Sequence, residues 1–290
     1  MAQVVYRDLS PLVAMVYRQV KRWMGARSRL VSTVLNPLVW IIFLGLGWGS
    51  VFSGTSFSGL PTGVPVPPGL SISDMIQRYF NAIFGGVDYL TFMVSGMASM
   101  TVFMGSFIGG LSVIWDKQFG YLKETLVAPA SRKLVIAGRI LGDAIITTLQ
   151  GLIVVLLGLA LTGGLRLVGI PIAIVYLFIS ALAFSSLGVI IALKLTSVEG
   201  FQMLINLLTM PLMFMSGVFY PFTTMPDWMK VFAQFNPLSY TVHSVRYWLT
   251  GADVGLYPMS PVNDLIVLAV VGSAMLWLAG VVFEKTSIEE

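Results

Sequence analysis

The chain is predicted to be an all-α integral membrane protein with six transmembrane helices. Three observations predict it. Hydrophobic residues make up 57% of the 290 and charged residues 10%, with a mean hydropathy of +0.88, whereas a soluble domain carries charge nearer a quarter of its length. The apolar residues gather in runs long enough to cross a hydrocarbon core of about 30 Å. The basic residues fall unevenly on the two sides those runs define. Helices are the natural assignment, because a backbone in lipid must satisfy its polar groups internally.

The elements follow in order. Residues 1–29 form a basic segment without the charged, apolar and small-residue order of a cleavable signal. Within it Leu12, Val13, Val16, Val20 and Trp23 recur at helical spacing among Arg18, Lys21 and Arg22. This predicts a helix at the cytoplasmic interface, its apolar face in the acyl boundary and its cations near the headgroups of membrane lipid. Crossings are expected at 30–51, 89–115, 134–161, 168–193, 201–219 and 265–283. Between the first two lies an outer segment, its first half rich in Pro and Gly and its second, from Ser73 to Phe84, compatible with helix.

Six crossings return both termini to one side. With the termini inside, 13 of the 17 Lys and Arg residues are cytoplasmic, leaving Arg78, Arg166, Lys230 and Arg246 toward the outside. That is the positive-inside pattern of a cell membrane protein. The same placement accounts for the net charge of +4 without nucleic acid as a partner. The absence of cysteine excludes disulfides and thiol chemistry, and the single histidine excludes a multi-histidine metal site. No GxxxxGK[ST] phosphate loop is present, so ATP hydrolysis by this polypeptide is not expected. No catalytic cluster stands out.

Two polar interruptions carry the functional signal. The first is 116–133, where the aromatic anchors Phe119 and Tyr121 precede Lys123 and Glu124. Leu122, Leu126 and Val127 can share one face of a short helix that Pro129 would end. Such an element suits a groove on a soluble partner. The second is 220–258, which follows Met215-Ser216-Gly217-Val218-Phe219-Tyr220-Pro221. It contains Pro226 and Trp228, then Asn236-Pro237 and Arg246. Neither of its apolar stretches is long enough to cross, and the two suit short helices that enter the outer leaflet and return.

Further polar residues have blander readings. Arg139 and Asp143, four apart, allow a local ion pair. Gln202 and Asn206 suit interhelical hydrogen bonds or a substrate path, Glu199 a boundary position, and His243 packing. Gly105, Gly109, Gly110, Gly158 and Gly188 allow close helix approach.

Taken together, the motif around Phe119 to Arg132 and the series from Gly217 to Arg246 resemble those of type-2 ABC exporter permeases, most nearly the daunorubicin-resistance branch. The resemblance covers almost all of 1–290 as one transmembrane domain. It implies that Phe119, Tyr121, Leu122, Lys123, Glu124, Leu126 and Val127 contact an ATPase. It also implies that Gly217, Tyr220, Pro221, Pro226, Trp228, Asn236, Pro237 and Arg246 build an outer re-entrant helical hairpin between helices five and six. The expected assembly is two permease protomers, as a homodimer, with two soluble ABC ATPase subunits that bind ATP and Mg; this chain would bind no cofactor itself. The implied function is outward movement of a hydrophobic or amphipathic compound. Lipid or polysaccharide export and ion-coupled secondary transport are the alternatives, though no pair of broken repeats favours the last.

Overall fold

A computed structural model describes residues 2–53, 71–121 and 131–285, and every regular element among them is helical. Helix α1 spans Ala2–Gly25. Its packed side runs through Leu12, Val16, Gln19 and Trp23, while Val13 is 60% exposed. Steps of three and four residues keep those four on one face and turn Val13 off it, which corrects the stripe expected from sequence. The face lies on α7, Arg132–Leu161. Two glycines make the seat: a Cβ at Gly138 would come 2.6 Å from the Leu12 carbonyl oxygen, and one at Gly142 2.8 Å from Gln19 Cβ. Small residues thus let the helices meet backbone to side chain.

The expected first crossing consists of α2 (Arg27–Trp40), a π-helical turn over Ile41–Leu46 and α3 (Gly47–Phe52). Pro37 removes one ladder donor inside α2. Helix α4, Ile72–Ile83, is the predicted second half of the connecting segment. It opens on a capping box in which the Ser71 hydroxyl accepts from the Asp74 amide and the Asp74 carboxylate accepts from the Ser71 amide. The Pro-rich half lies outside the described residues. The Asp88 carboxylate caps α5, Tyr89–Gly109, which continues as α6, Leu111–Gln118.

Helix α5 is the central post, packing against α7, α8 (Ile170–Lys194) and α11 (Pro237–Thr250). Phe92, Phe103 and Phe107 lie wholly inside, the last two against Phe184 of α8. Helix α12, Pro261–Lys285, packs on α8.

Five helical stretches among the described residues are long and apolar enough to cross a membrane: Val31–Phe52, Tyr89–Gln118, Arg132–Leu161, Leu167–Lys194 and Pro261–Lys285. The expected fifth crossing, 201–219, is α9, Val198–Phe214, of 17 residues. At about 1.5 Å per residue it rises about 25 Å, short of a full hydrocarbon core. It ends five residues early because the chain turns at Gly217, whose φ of +78° suits glycine alone. Helix α10, Asp227–Phe235, then leads into α11.

Candidate functional site

The first site candidate lies where α6 runs out toward the loop. Asp116, near the end of α6 and almost fully buried, accepts a hydrogen bond from Arg139 Nη1 of α7. A second guanidinium, Arg18 of α1, stands 3.6 Å from its other oxygen. The Arg139 fork also donates to Ser112 Oγ at 2.6 Å, and Ser112 donates to the Gly109 carbonyl at 2.7 Å. Arg139 therefore turns across the helix interface, not to Asp143 four residues along as the sequence suggested. The Asp116 carboxylate and the Ser112 hydroxyl on the neighbouring helix give the buried fork two acceptors.

The next two residues extend the anchorage. Lys117 Nζ donates to the Leu193 and Leu195 carbonyls at 3.0 and 3.3 Å, and Gln118 Nε2 to the Thr196 carbonyl at 3.4 Å. The Leu193 carbonyl lies in the last turn of α8 and those of Leu195 and Thr196 just beyond its end, where no helical amide reaches and a cation complements the helix C-terminus. Three successive residues thus tie α6 to α1, α7 and α8. Phe119 and Tyr121 follow directly and are exposed, at 72% and 51%. Leu122, Lys123, Glu124, Leu126 and Val127 lie outside the described residues. The sequence marks Asp116 only as the first residue of the polar 116–133 segment; the structure puts it inside α6, where it meets Arg139 and Arg18.

The second candidate lies at the opposite end of the bundle, around Arg246. This side chain is wholly buried and stacks 3.5 Å from the centre of the Phe92 ring. Its Nε donates to Ser95 Oγ at 3.1 Å, Nη1 to the Gly217 carbonyl at 2.9 Å, and Nη2 to the Phe92 and Val218 carbonyls at 3.3 Å. Arg246 so ties α11 to α5 and to the turn after α9. The absence of a side chain at Gly96 makes the room, since a Cβ there would lie 2.7 Å from the Val218 oxygen.

The other motif residues divide. Asn236 caps α11 by accepting from the Leu238 amide and donates to the Leu212 carbonyl near the end of α9. Tyr220 donates to the Phe214 carbonyl at 2.8 Å. With Gly217 and Arg246 they form one assembly around the end of α9. Pro221 precedes a 3-10 turn, Pro226 opens α10 and Pro237 opens α11. Trp228 stands off on α10, 57% exposed, away from Arg246 and its partners. Sequence reasoning missed Ser95 and Phe92, which sit inside an ordinary apolar run.

It also missed a polar cluster one helical turn from Arg246. His243, read as packing, is wholly buried, with Nδ1 2.6 Å from Asp264 Oδ2 of α12 and Nε2 3.1 Å from Asp253 Oδ1. Ser244 Oγ hydrogen-bonds the same Asp264 oxygen. Burial works against the imidazolium, yet the bonds and charges of Asp264 and Asp253 outweigh it and hold the His243 pKa above its ordinary value.

Nothing in either assembly is arranged for bond-breaking chemistry; both tie helices together. Among the described residues no group of His, Cys, Asp and Glu is suited to a metal.

Comparison with known proteins agrees with this picture. Residues 11–250 match the family model of the ABC-2 type transporter. The chain is similar to ycf38 of Cyanophora paradoxa, with 26% identity over 277 residues, covering 91% of this chain and 84% of that one. It is similar to the daunorubicin resistance ABC transporter permease protein DrrB1 of Streptomyces coeruleorubidus, with 32% identity over 193 residues, covering 61% of this chain and 67% of that one. The inner membrane transport permease YadH of Escherichia coli strain K12 is 25% identical over 169 residues, covering 58% and 66%. With its long apolar helices, the protein is a multi-pass membrane protein with a role in transport, and it belongs to the ABC-2 type transporter family.

Proposed function

We propose that this chain is the transmembrane half of an ATP-driven exporter, moving a hydrophobic or amphipathic compound out of the cell. Two copies form the path, and two separate ABC ATPase subunits, which bind ATP and Mg, supply the force. Both termini and the 116–133 loop face the cytoplasm, and 220–258 forms the outer hairpin.

The observation that carries the proposal is the anchorage of α6. A loop that receives force must pass it to rigid elements, and Asp116, Lys117 and Gln118 join three helices immediately before the exposed Phe119 and Tyr121. ATP-driven closure of the partner would press on these aromatics and tilt α1, α7 and α8 as a unit. Binding can drive such a change only if the ATP-bound partner favours one arrangement of the helices over the other. The substrate class is supported by the name of the Streptomyces relative.

Coexpression with a cognate ABC ATPase tests the contact. The wild-type chain is expected to copurify with the ATPase in mild detergent. Phe119→Ala combined with Tyr121→Ala is expected to reduce this at least about tenfold, as loss of buried aromatic anchors does at other interfaces, with unchanged thermal stability. Equal copurification of both forms would place the contact elsewhere.

A further inference from the structure

His243 of α11 is wholly buried, yet both of its ring nitrogens face carboxylate oxygens. Nδ1 stands 2.6 Å from Oδ2 of Asp264, in the first turn of α12, and Nε2 stands 3.1 Å from Oδ1 of Asp253. An ionised carboxylate only accepts, so both bonds form together only when the ring carries two N–H groups. The neutral ring has one, and its other nitrogen then turns a lone pair toward a carboxylate. The two carboxylates are unlike. Asp264 is wholly buried and takes a second hydrogen bond from Ser244, whereas the Asp253 side chain is 67% exposed. Water can replace the bond that Asp253 loses, while Asp264 lies out of its reach. Loss of the proton therefore falls on the contact between Nε2 and Asp253.

That contact fastens a loop. Residues 251–260 join α11 to α12, and Gly255 passes so close to the ring that a Cβ there would come 2.6 Å from Nε2. The same loop is seated elsewhere by contacts that carry no charge. Ala252 and Val254 are buried against Gly85, in the turn between α4 and α5. Leu256 and Met259 pack on Phe222, Met225 and Ala233, and Gln234 Nε2 of α10 donates to the Tyr257 carbonyl at 2.9 Å. The loop thus joins α11 and α12 to the α10 side of the hairpin. Around the ring, Tyr176 of α8 and Tyr240 of α11 face Asp264, and the Tyr247 ring centre lies 6.5 Å from the imidazole. Arg246 turns away to Phe92 and Ser95 of α5, and Arg166 lies against Gly251. Histidine is the residue of this set whose ordinary titration lies closest to neutral pH.

We propose that Asp253, His243 and Asp264 form a proton-operated latch on the loop 251–260. With the ring protonated, the loop is fastened to α11 and α12. With the ring neutral, Asp253 lets go and the loop gains freedom, while Asp264 still holds α11 to α12. The two carboxylates hold the His243 pKa above its ordinary 6.5 against the effect of burial, which puts release on the alkaline side of that value. The latch rests on contacts at this end of the bundle alone. Only its access to the solution outside the cell rests on the topology proposed above, in which acid outside fastens the exit end and alkali loosens it.

Spin labelling of the full chain in lipid nanodiscs tests this, because the chain has no cysteine and Tyr257→Cys supplies one attachment point in the loop. The Tyr257 side chain is 91% exposed, so a nitroxide there displaces no packing. Its line shape is expected to be immobilised below pH 6.5 and to become mobile as pH rises through the raised value. Asp253→Asn, at an exposed position that keeps the fold, accepts from a protonated Nε2 and donates to a bare one. The loop label in that variant is expected to stay immobilised throughout, and in His243→Gln to show no transition. A label at Val13→Cys, exposed on α1 at the other end of the bundle, is expected not to respond. A loop label that ignores pH in the otherwise wild-type chain would overturn the proposal, as would a transition that persists in Asp253→Asn. A simultaneous change at Val13→Cys would show general loosening of the fold and overturn it as well. Failure of ATP-driven uptake would leave these outcomes as they are, so the latch and the exporter reading fail separately.

Discussion

Arg246 is wholly buried, and its acceptors are the uncharged oxygens of Ser95, Gly217, Phe92 and Val218. An arginine in this position holds three chain segments together through the shape of its fork, which an ammonium cannot copy. Arg246→Lys is therefore expected to lower Tm although it preserves the charge. Arg246→Ala, which strands several buried carbonyls, is expected to cost about 3 kcal/mol in detergent unfolding. A Tm unchanged in both variants would show that the segments are held by packing alone. His243 makes a different prediction, because its state depends on pH. Its pKa is raised above the ordinary 6.5 by Asp264 and Asp253 against the opposing effect of burial. The stabilisation is fully present below 6.5 and is lost as pH rises through the raised folded-state value. Melting curves recorded across neutral pH are expected to show stability falling with rising pH in the wild type, and a flatter profile in His243→Gln. Parallel profiles would contradict the assignment.

At the scale of elements, the decisive contact is α1 on α7. Gly138 and Gly142 admit the backbone of Leu12 and the stem of Gln19. Gly142→Leu is expected to lift α1 away, at a cost of about 1–3 kcal/mol for the overpacked contact. Limited proteolysis should then cut within α1 while the remaining helices stay protected; an unaltered digestion pattern would show that α1 is held by other means. The long helices were legible because lipid demands length and apolarity, which a single sequence displays directly. The end of α9 was less so, because apolar residues continue through Met215, Val218 and Phe219 on both sides of the turn at Gly217. The π-helical turn over Ile41–Leu46 has no compositional mark. The packed face of α1 differs from the expected stripe at Val13, which lies off it, and at Gln19, a polar residue buried on it, because hydrophobicity alone does not choose the face and only α7 decides it.

For the molecule as a whole, the two ends of the bundle are built on one plan, in which a buried arginine joins neighbouring helices near a motif visible in the sequence. Arg139 joins α7 to α6 below Phe119, and Arg246 joins α11 to α5 beside Gly217. The motif residues Gly217, Asn236 and Arg246 were legible individually, but their meeting was not. Ser95 and Asp264 were not legible, since a lone polar residue in an apolar run names no partner, and Asp116 was legible only as the start of a polar segment, without its arginine partners. Under the proposed exporter mechanism, such a frame would carry a push at one loop to several helices together.

The most direct test reconstitutes the chain with its ABC ATPase in sealed vesicles, the ATPase side outward, and measures ATP-dependent uptake of an amphipathic fluorescent compound. Uptake is expected with ATP and Mg, and it should fall at least about tenfold in Asp116→Asn, which removes the charge that joins α6 to Arg139, while ATPase copurification persists. Uptake that proceeds without ATP and follows an imposed ion gradient would contradict the exporter reading.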